Sequence, residues 1–447
     1  MREGVSSISH HFPTDGCVVD SDGVYLGRGT RGVATSGAQR STLVLGPTRS
    51  GKTSSIIIPN LLMTSDACVV TSTKDDVVTT MARTRRDVAT LLFDPSGTVA
   101  TPEGVTRVGY TPLRQAQRWD GAVLVARTLL DVSRRNVERA EDHWSERAGA
   151  LLAPLLHAAA LHGEPLGQLA TRVDERRVDD LGDVLVAHHG DHHASVATLR
   201  GVLATEERER SSIWSTAAGL FAGLRTDAAR AASLEPLVDL DAFLAGGHHL
   251  HVVSPSRHQA VATPLVVGLI DEIVHATYER HRDGGRLLLA LDELANVAPL
   301  PRLTSIVSEG GGQGVVTLAC LQDLSQARAR WGAGADGLLS LFPSTLVFPG
   351  IADRSTLEAV ERLGGREFVA SPTVHRDHRG RARSLSSGWV ERTRVTASDV
   401  ARGRPGHALA LSATNDLRWV ALTPYYADPL LTRHHERSRA LSRDLER

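Results

Sequence analysis

The chain has 447 residues, of which 41% are hydrophobic and 23% charged, a composition typical of globular proteins with a buried core. A formal net charge of -1 excludes a general attraction for nucleic acid, so DNA contacts must come from local basic groups or from a channel formed on assembly. The sequence shows no apolar run of roughly 18 residues and no signal peptide. We therefore expect a cytoplasmic chain without a transmembrane segment, which could associate with a membrane only through a partner.

The predicted elements alternate between strand and helix in two stretches separated by a helical one. Residues 1–40 are rich in Gly, Ser, Thr and Asp and predict a short β-hairpin region. Strands are predicted at 41–45, 67–71, 89–93, 249–253, 286–291, 314–320, 345–348 and 408–411, and helices at 76–86 and 259–282. Strands that alternate with helices predict an α/β fold with a mostly parallel, helix-covered sheet.

Between the two α/β stretches the sequence is rich in Ala and Leu at helical spacing and carries almost no strand signal. We therefore predict an inserted all-α domain at 113–240. The remaining divisions are an N-terminal β-rich segment at 1–40, a nucleotide-binding domain formed by 41–112 and 241–430, and a charged C-terminal tail at 431–447.

A phosphate-binding loop follows the first predicted α/β strand and matches the pattern G-x-x-x-x-G-K-[ST]. Glycines let backbone N–H groups curl around phosphate oxygens, a lysine reaches the β- and γ-phosphates, and a hydroxyl holds Mg²⁺. Lysine is otherwise almost absent: of 50 basic residues only Lys52 and Lys74 are lysines. The residues predicted to bind ATP are Gly46, Pro47, Thr48, Arg49, Ser50, Gly51, Lys52 and Thr53.

A buried apolar strand at 287–291 ends in two acids, which is the expected partner of a phosphate-binding loop. We predict that Asp292 and Thr53 hold Mg²⁺ and that Glu293 polarises the attacking water. The next strand ends at Gln322, the candidate sensor of the γ-phosphate. The alternative for Gln322 is an ordinary glutamine in a surface loop.

Motifs spread along the chain resemble those of the type IV coupling proteins of conjugation and type IV secretion. The resemblance covers nearly all of 40–430 in the right order. It rests on 46–53, 58–62, Lys74 with Arg83 and Arg85, 93–95, 111–113, 142–144, 291–296 with Pro299 and Pro301, 321–323 with Gln326 and Trp331, and 423–426.

The resemblance implies a RecA-like P-loop ATPase that translocates DNA. It further implies a homo-hexamer with single-stranded DNA in its channel, a relaxase or other secretion substrate as cargo, and type IV secretion channel subunits as partners. Residues 113–240 fall where the family's helical cap belongs.

The chain departs from the family pattern at three places. We expect no counterpart in this sequence to the N-terminal membrane helices that family members usually carry. Ser72 stands where the family has an acid two residues before the lysine of the second strand. Residues 310–314 are Gly-Gly-Gly-Gln-Gly where the family places an arginine finger, and no arginine lies between Arg302 and Arg328. Because such a finger is worth about 10³ to 10⁵ in rate, we expect Arg328, Arg330 or Arg354 or a partner subunit to replace it.

Two alternatives to the secretion-coupled motor stay open. One is a chromosome or plasmid DNA translocase unrelated to secretion. The other is a nucleotide-binding docking scaffold with little ATPase activity, which the missing finger would explain. The histidine clusters at 188–193 and 248–251 have spacings that could bind a metal, but nothing in the sequence fixes them as a site. The widely spaced Cys17, Cys68 and Cys320 show no metal-type spacing.

Overall fold

A computed structural model describes residues 23–30, 32–133, 139–376, 382–412, 416–429 and 431. Most of the predicted N-terminal segment and nearly all of the charged tail therefore lie outside the described residues, as does Cys17.

The strands of the described residues are β1 (Tyr25–Gly29), β2 (Gly32–Thr35), β3 (Thr42–Leu45), β4 (Ala67–Ser72), β5 (Thr90–Phe93), β6 (Val105–Arg107), β7 (His249–Val253), β8 (Leu287–Leu291), β9 (Val315–Leu321), β10 (Ser344–Val347), β11 (Arg366–Arg376), β12 (Ala382–Thr393), β13 (His407–Ser412) and β14 (Leu417–Ala421). Strands β11 and β12 form a separate two-stranded sheet. The others form one twelve-stranded sheet in the order β2-β1-β14-β13-β10-β3-β9-β8-β4-β7-β5-β6. From β10 to β6 the strands are parallel, and from β2 to β10 they are antiparallel.

The α-helices are α1 (Ile58–Met63), α2 (Asp76–Thr84), α3 (Trp119–Ser133), α4 (Arg139–His162), α5 (Leu166–Glu175), α6 (Asp179–His189), α7 (Ala194–Leu203), α8 (Glu207–Leu220), α9 (Asp227–Ala232), α10 (Leu240–Ala245), α11 (Gln259–Arg280), α12 (Leu294–Val297), α13 (Leu303–Glu309), α14 (Leu324–Trp331), α15 (Leu338–Leu341), α16 (Arg354–Gly364) and α17 (Ala397–Arg402). A π-helical turn, Thr53–Ile57, leads into α1. From α3 to α10 the described chain contains helices and no strand.

The core lies on both faces of the large sheet. Side chains alternate along each strand, so Leu43 and Leu45 pack on one face with α11 and the helices α3 to α8, while Val44 packs on the other face with Ile57 and Leu61. The central strands are buried on both sides, which explains why they read as continuous apolar runs. The predicted α/β sheet is confirmed.

The separate sheet of β11 and β12 and the short strands β6 and β14 were not predicted. Strands β11 and β12 are mostly polar, and none of their residues at 366–371 and 388–393 is buried. Prediction from sequence depends on an apolar face that alternates with a polar one. Strand β6 is only three residues long, and β14 is buried mainly at Val420.

Helix α11 bears on the expectation that no segment of the chain crosses a membrane. The segment Gln259–Asp283 is long and apolar enough to cross a membrane by length and composition, although 61% of its most apolar window is buried in the fold. Thr263 and the acids Asp271 and Glu272 interrupt the apolar run, so a search for uninterrupted apolar residues misses it. A helix that is buried in a protein core and apolar on every side meets the same criteria of length and apolar composition.

Some of the clustered histidines are buried and others are exposed. His249 and His251 are buried in β7. On α4 the buried His157 donates through Nδ1 to the Ala116 carbonyl at 2.7 Å, and its Nε2 lies 2.9 Å from Nε2 of His189. Among the described residues no group of three or more His, Cys, Asp or Glu is placed to hold a metal ion.

The contact between His157 and His189 makes stability depend on pH. Burial lowers the pKa of His157, and partial desolvation together with the neighbouring histidines lowers the pKa of the exposed His189. Between neutral pH and the lowered values the folded chain therefore binds fewer protons than the unfolded chain. Their contribution is complete above the unfolded pKa of about 6.5, and we expect the free energy of unfolding to fall as the pH drops below it.

The variant His157→Leu should flatten this pH dependence in chemical denaturation. At neutral pH it should also cost about 1–3 kcal/mol, because the buried Ala116 carbonyl loses its donor. His162→Leu, at an exposed position on the same helix, is the control. An unchanged slope in His157→Leu would show that other groups cause the dependence.

Candidate nucleotide-binding site

The loop at 46–53 joins the end of β3 to the π-helical turn before α1. Arg49 and Gly51 have φ of 62° and 91°, so the chain reverses tightly and the helix start faces the loop. At Gly46 a Cβ atom would lie 2.7 Å from Cβ of Phe348, the residue after β10. Only glycine therefore lets the loop pass this close to the Phe348 side chain.

Lys52 lies across the mouth of the loop. Its side chain is buried, and Nζ donates to the carbonyls of Gly46 at 2.6 Å and Pro47 at 2.9 Å. Ser50 Oγ is buried as well and has no hydrogen-bond partner among the described residues. A cation and an unsatisfied hydroxyl in one concave loop are suited to the oxygens of a phosphate group.

Thr53 and Asp292 meet although 239 positions separate them in the sequence. Thr53 Oγ1 donates to Asp292 Oδ2 at 2.7 Å. Thr71 Oγ1, on β4, donates to the Asp292 carbonyl at 2.9 Å and fixes the end of β8. Burial raises the pKa of Asp292 to about 6, and the Thr53 hydroxyl and Lys52 oppose that rise. A buried carboxylate beside a hydroxyl is a donor set that suits Mg²⁺, with water and phosphate oxygens completing the coordination.

Glu293 directly precedes α12 and has a left-handed backbone conformation, with φ of 60°. Asn296 Nδ2 donates to Glu293 Oε2 at 3.2 Å, so the Glu293 side chain is held by the helix that follows it. The carboxylate of Glu293 is half-buried and follows Asp292 directly. The left-handed backbone turns the chain away from the sheet at the carboxyl end of β8.

Strand β9 lies between β3 and β8 and brings Gln322 into the same region. Gly46 N donates to the Leu321 carbonyl at 3.1 Å, and Gln322 N donates to Gln326 Oε1 at 2.9 Å. All predicted site residues therefore lie at the carboxyl ends of three adjacent parallel strands, the edge where α/β sheets bind ligands.

Some supporting residues were not predicted. Thr71 and Phe348 support the site from neighbouring strands, and Asn60 on α1 holds β1 through Tyr25 N and O at 2.8 and 3.0 Å. Arg85, one of the residues on which the family resemblance rests, is buried and donates to the carbonyls of Leu61, Leu62 and Thr64 at the end of α1. A sequence pattern gives no signal for such distant contacts.

Residues 310–314 lie at the opposite edge of the sheet, before β9. A Cβ at Gly311 would lie 2.3 Å from the Gln39 carbonyl, so no side chain fits there without movement. Among the arginines that could replace the finger, Arg328 contacts Asp336 and Ser355 at 2.9 and 2.6 Å, and Arg330 contacts the Val132 carbonyl at 3.4 Å. Arg354 has a side chain that is 92% exposed, and within the described part of the chain it pairs only with Glu358 on its own helix.

Comparison with known proteins identifies relatives. Conjugal transfer protein TraG of Escherichia coli is 26% identical over 391 residues, covering 78% of this chain and 58% of that protein. Conjugal transfer protein TraG of Rhizobium radiobacter is 23% identical over 392 residues, covering 81% of this chain and 58% of that protein. The chain thus spans less than two thirds of the length of these relatives.

Solved structures of the bacterial conjugative coupling protein TrwB have the same fold. The unbound form of TrwBdeltaN70 is 19% identical, with a TM-score of 0.67, and the match covers 86% of this chain and 84% of that one. The complex of TrwB with ADP and Mg²⁺ is 18% identical, with a TM-score of 0.64, covering 95% and 90%. The predicted RecA-like P-loop fold with a helical domain is confirmed.

The family described as type IV secretory system conjugative DNA transfer matches residues 7–445, nearly the whole chain. The family resemblance predicted from the motifs is therefore confirmed, and the chain belongs to the type IV secretory system conjugative DNA transfer family.

Proposed function

We propose that this chain binds ATP and Mg²⁺ at the loop 46–53 and hydrolyses ATP to move DNA as a coupling protein of conjugative transfer. The observation that carries the proposal is the 2.7 Å hydrogen bond between Thr53 and Asp292, which joins the phosphate-binding loop to the acidic end of β8. The TrwB complexes with an ATP analogue and with ADP and Mg²⁺ support the choice of nucleotide and metal.

Each site residue has a role in this proposal. The backbone N–H groups of 46–53 bind the phosphates, and Lys52 exchanges its two carbonyl partners for phosphate oxygens. Thr53 and Asp292 hold Mg²⁺, which would neutralise charge on the β- and γ-phosphate oxygens. Glu293 takes the proton of the attacking water, and Gln322 contacts the γ-phosphate.

The wider assignments follow the family. We propose a nucleotide-binding domain of 41–112 and 241–430, flanked by the segment 1–40 and the tail 431–447. The domain 113–240 would dock a relaxase or other secretion substrate. We propose further that homo-hexamers enclose single-stranded DNA and contact type IV secretion channel subunits. The similarity to a conjugal transfer protein, TraG, and to a conjugative coupling protein, TrwB, supports a role in conjugation.

The second candidate function is a docking scaffold that binds nucleotide and hardly hydrolyses it. The observation that favours it is the glycine-rich segment 310–314, which carries no cation where the family has an arginine finger. The two functions share the nucleotide site and differ in turnover.

The variant Lys52→Ala tests the nucleotide site. Removing the cation should weaken ATP binding by about ten- to a hundredfold, because hydrogen bonds to charged groups contribute about 1.5–3 kcal/mol. Isothermal titration with ATP and Mg²⁺ measures the change.

Lys74→Ala is the matched control, since it removes the other lysine, which is exposed. Its ATP affinity should equal that of the parent. If Lys52→Ala also binds ATP as the parent does, the site is assigned wrongly.

A further inference from the structure

The separate sheet of β11 and β12 presents two aromatic side chains to solvent. Phe368 is 68% exposed and Trp389 is 73% exposed, although side chains of this kind are usually buried. Phe368 pairs with Glu391 and Ala370 pairs with Trp389. Residues directly opposite or two apart on paired strands share a face, so both rings project from the same side of the hairpin.

Charged residues lie beside these rings and on the opposite face of the hairpin. On their face Arg366 pairs with Glu391 at 3.1 Å, and on the opposite face Arg392 pairs with Glu367 at 2.9 Å. Within the two strands four arginines stand against two glutamates, a net charge of +2 in a chain whose formal net charge is -1. The hairpin is therefore a locally basic part of a nearly neutral chain.

We propose that this hairpin is a binding platform for single-stranded DNA, on which bases stack on Phe368 and Trp389 while arginines contact phosphates. The proposal rests on the proposed function, which requires DNA to pass along the protein. Exposed aromatic side chains in a basic setting are the chemistry by which proteins hold single strands without reading sequence.

The charges favour nucleic acid over a protein partner. The net charge of +2 within the two strands favours a polyanion, and glutamates such as Glu391, which lies opposite Phe368, are depleted in protein interfaces. Exposed ion pairs contribute little to stability, so the guanidinium groups of Arg366 and Arg392 can turn from their glutamates to phosphates.

A fluorescein-labelled oligo(dT) of about 30 nucleotides is the probe, with binding followed by anisotropy. The double variant Phe368→Ala with Trp389→Ala should bind it at least about tenfold more weakly, because each stacked base loses its partner. Trp389→Phe should keep most of the affinity. Trp389→Leu should lose affinity, because leucine retains apolar area without an aromatic face.

Val390→Ala is the matched control, because Val390 is exposed on the opposite face of the same strand. It should bind oligo(dT) as the parent does. ATP affinity and sedimentation should be unchanged in every variant. The variant Arg366→Ala should reduce the dependence of binding on salt between about 50 and 200 mM.

The outcomes separate this proposal from the proposed function. If the parent binds oligo(dT) and the double variant or Trp389→Leu binds it equally well, the platform alone is overturned. Loss of affinity together with loss of self-association also overturns it and identifies a subunit interface. A parent that binds no oligo(dT) with or without ATP overturns the platform and the DNA-moving function together.

Discussion

The variant Glu293→Gln should bind ATP with parent-like affinity and hydrolyse it about 10² to 10⁴ times more slowly, the usual contribution of a general base. An amide cannot accept the proton of the attacking water. The local fold should survive, since glutamine is nearly isosteric and its carbonyl oxygen can still accept the hydrogen bond from Asn296. The neighbouring Thr53 and Asp292 keep their contact.

Single-turnover hydrolysis together with nucleotide titration measures both properties. Glu309→Gln, at an exposed position on α13, is the control and should be indistinguishable from the parent. Parent-like turnover in Glu293→Gln would remove Glu293 from the catalytic role. Loss of ATP binding in this variant would indicate a binding role instead.

The variant Arg354→Ala should lower DNA-stimulated turnover by a factor on the order of 10³ and leave ATP affinity unchanged. Segment 310–314 offers no cation, so an arginine from elsewhere must stabilise the charge that develops on the γ-phosphate. Arg354 is 92% exposed, and its pair with Glu358 is an exposed pair within one helix that is weak enough to exchange. Arg328 and Arg330 are already held by contacts within the chain.

Arg328→Ala and Arg330→Ala are the matched variants and should retain more activity than Arg354→Ala.

A mixing experiment tests whether the arginine acts on a neighbouring subunit. Arg354→Ala chains have an intact nucleotide site, and Lys52→Ala chains have an intact arginine, so a mixture should regain activity that neither has alone. Activity of Arg354→Ala equal to that of the parent would assign the role to another residue.

The sequence predicted the elements whose residues are buried on both sides and the site residues that match short patterns. Strand β8 and Asp292 are examples, because a run such as 287–291 is apolar for the same reason that it is central in the sheet. The contact between Thr53 and Asp292 followed from pairing two motifs with the strand order of an α/β sheet.

Features that depend on tertiary contact were missed. Arg85 resembles any surface arginine in the sequence, and only the fold shows that it holds the end of α1. Strands β11 and β12 are mostly polar, so no apolar alternation marks them in the sequence. Helix α11 was predicted as a helix, but its burial allows acids such as Glu272 inside an apolar segment, here paired with Arg114 at 2.7 Å.

The steady-state rate of ATP hydrolysis, measured against protein concentration with and without single-stranded DNA, tests the central claim most directly. A motor whose site is completed by an arginine of the neighbouring subunit should show negligible turnover when dilute. Its rate per subunit should rise with concentration and rise further with DNA. A rate that stays at background in every condition, while ATP still binds, would contradict ATP-driven DNA movement by this chain alone and favour the docking scaffold.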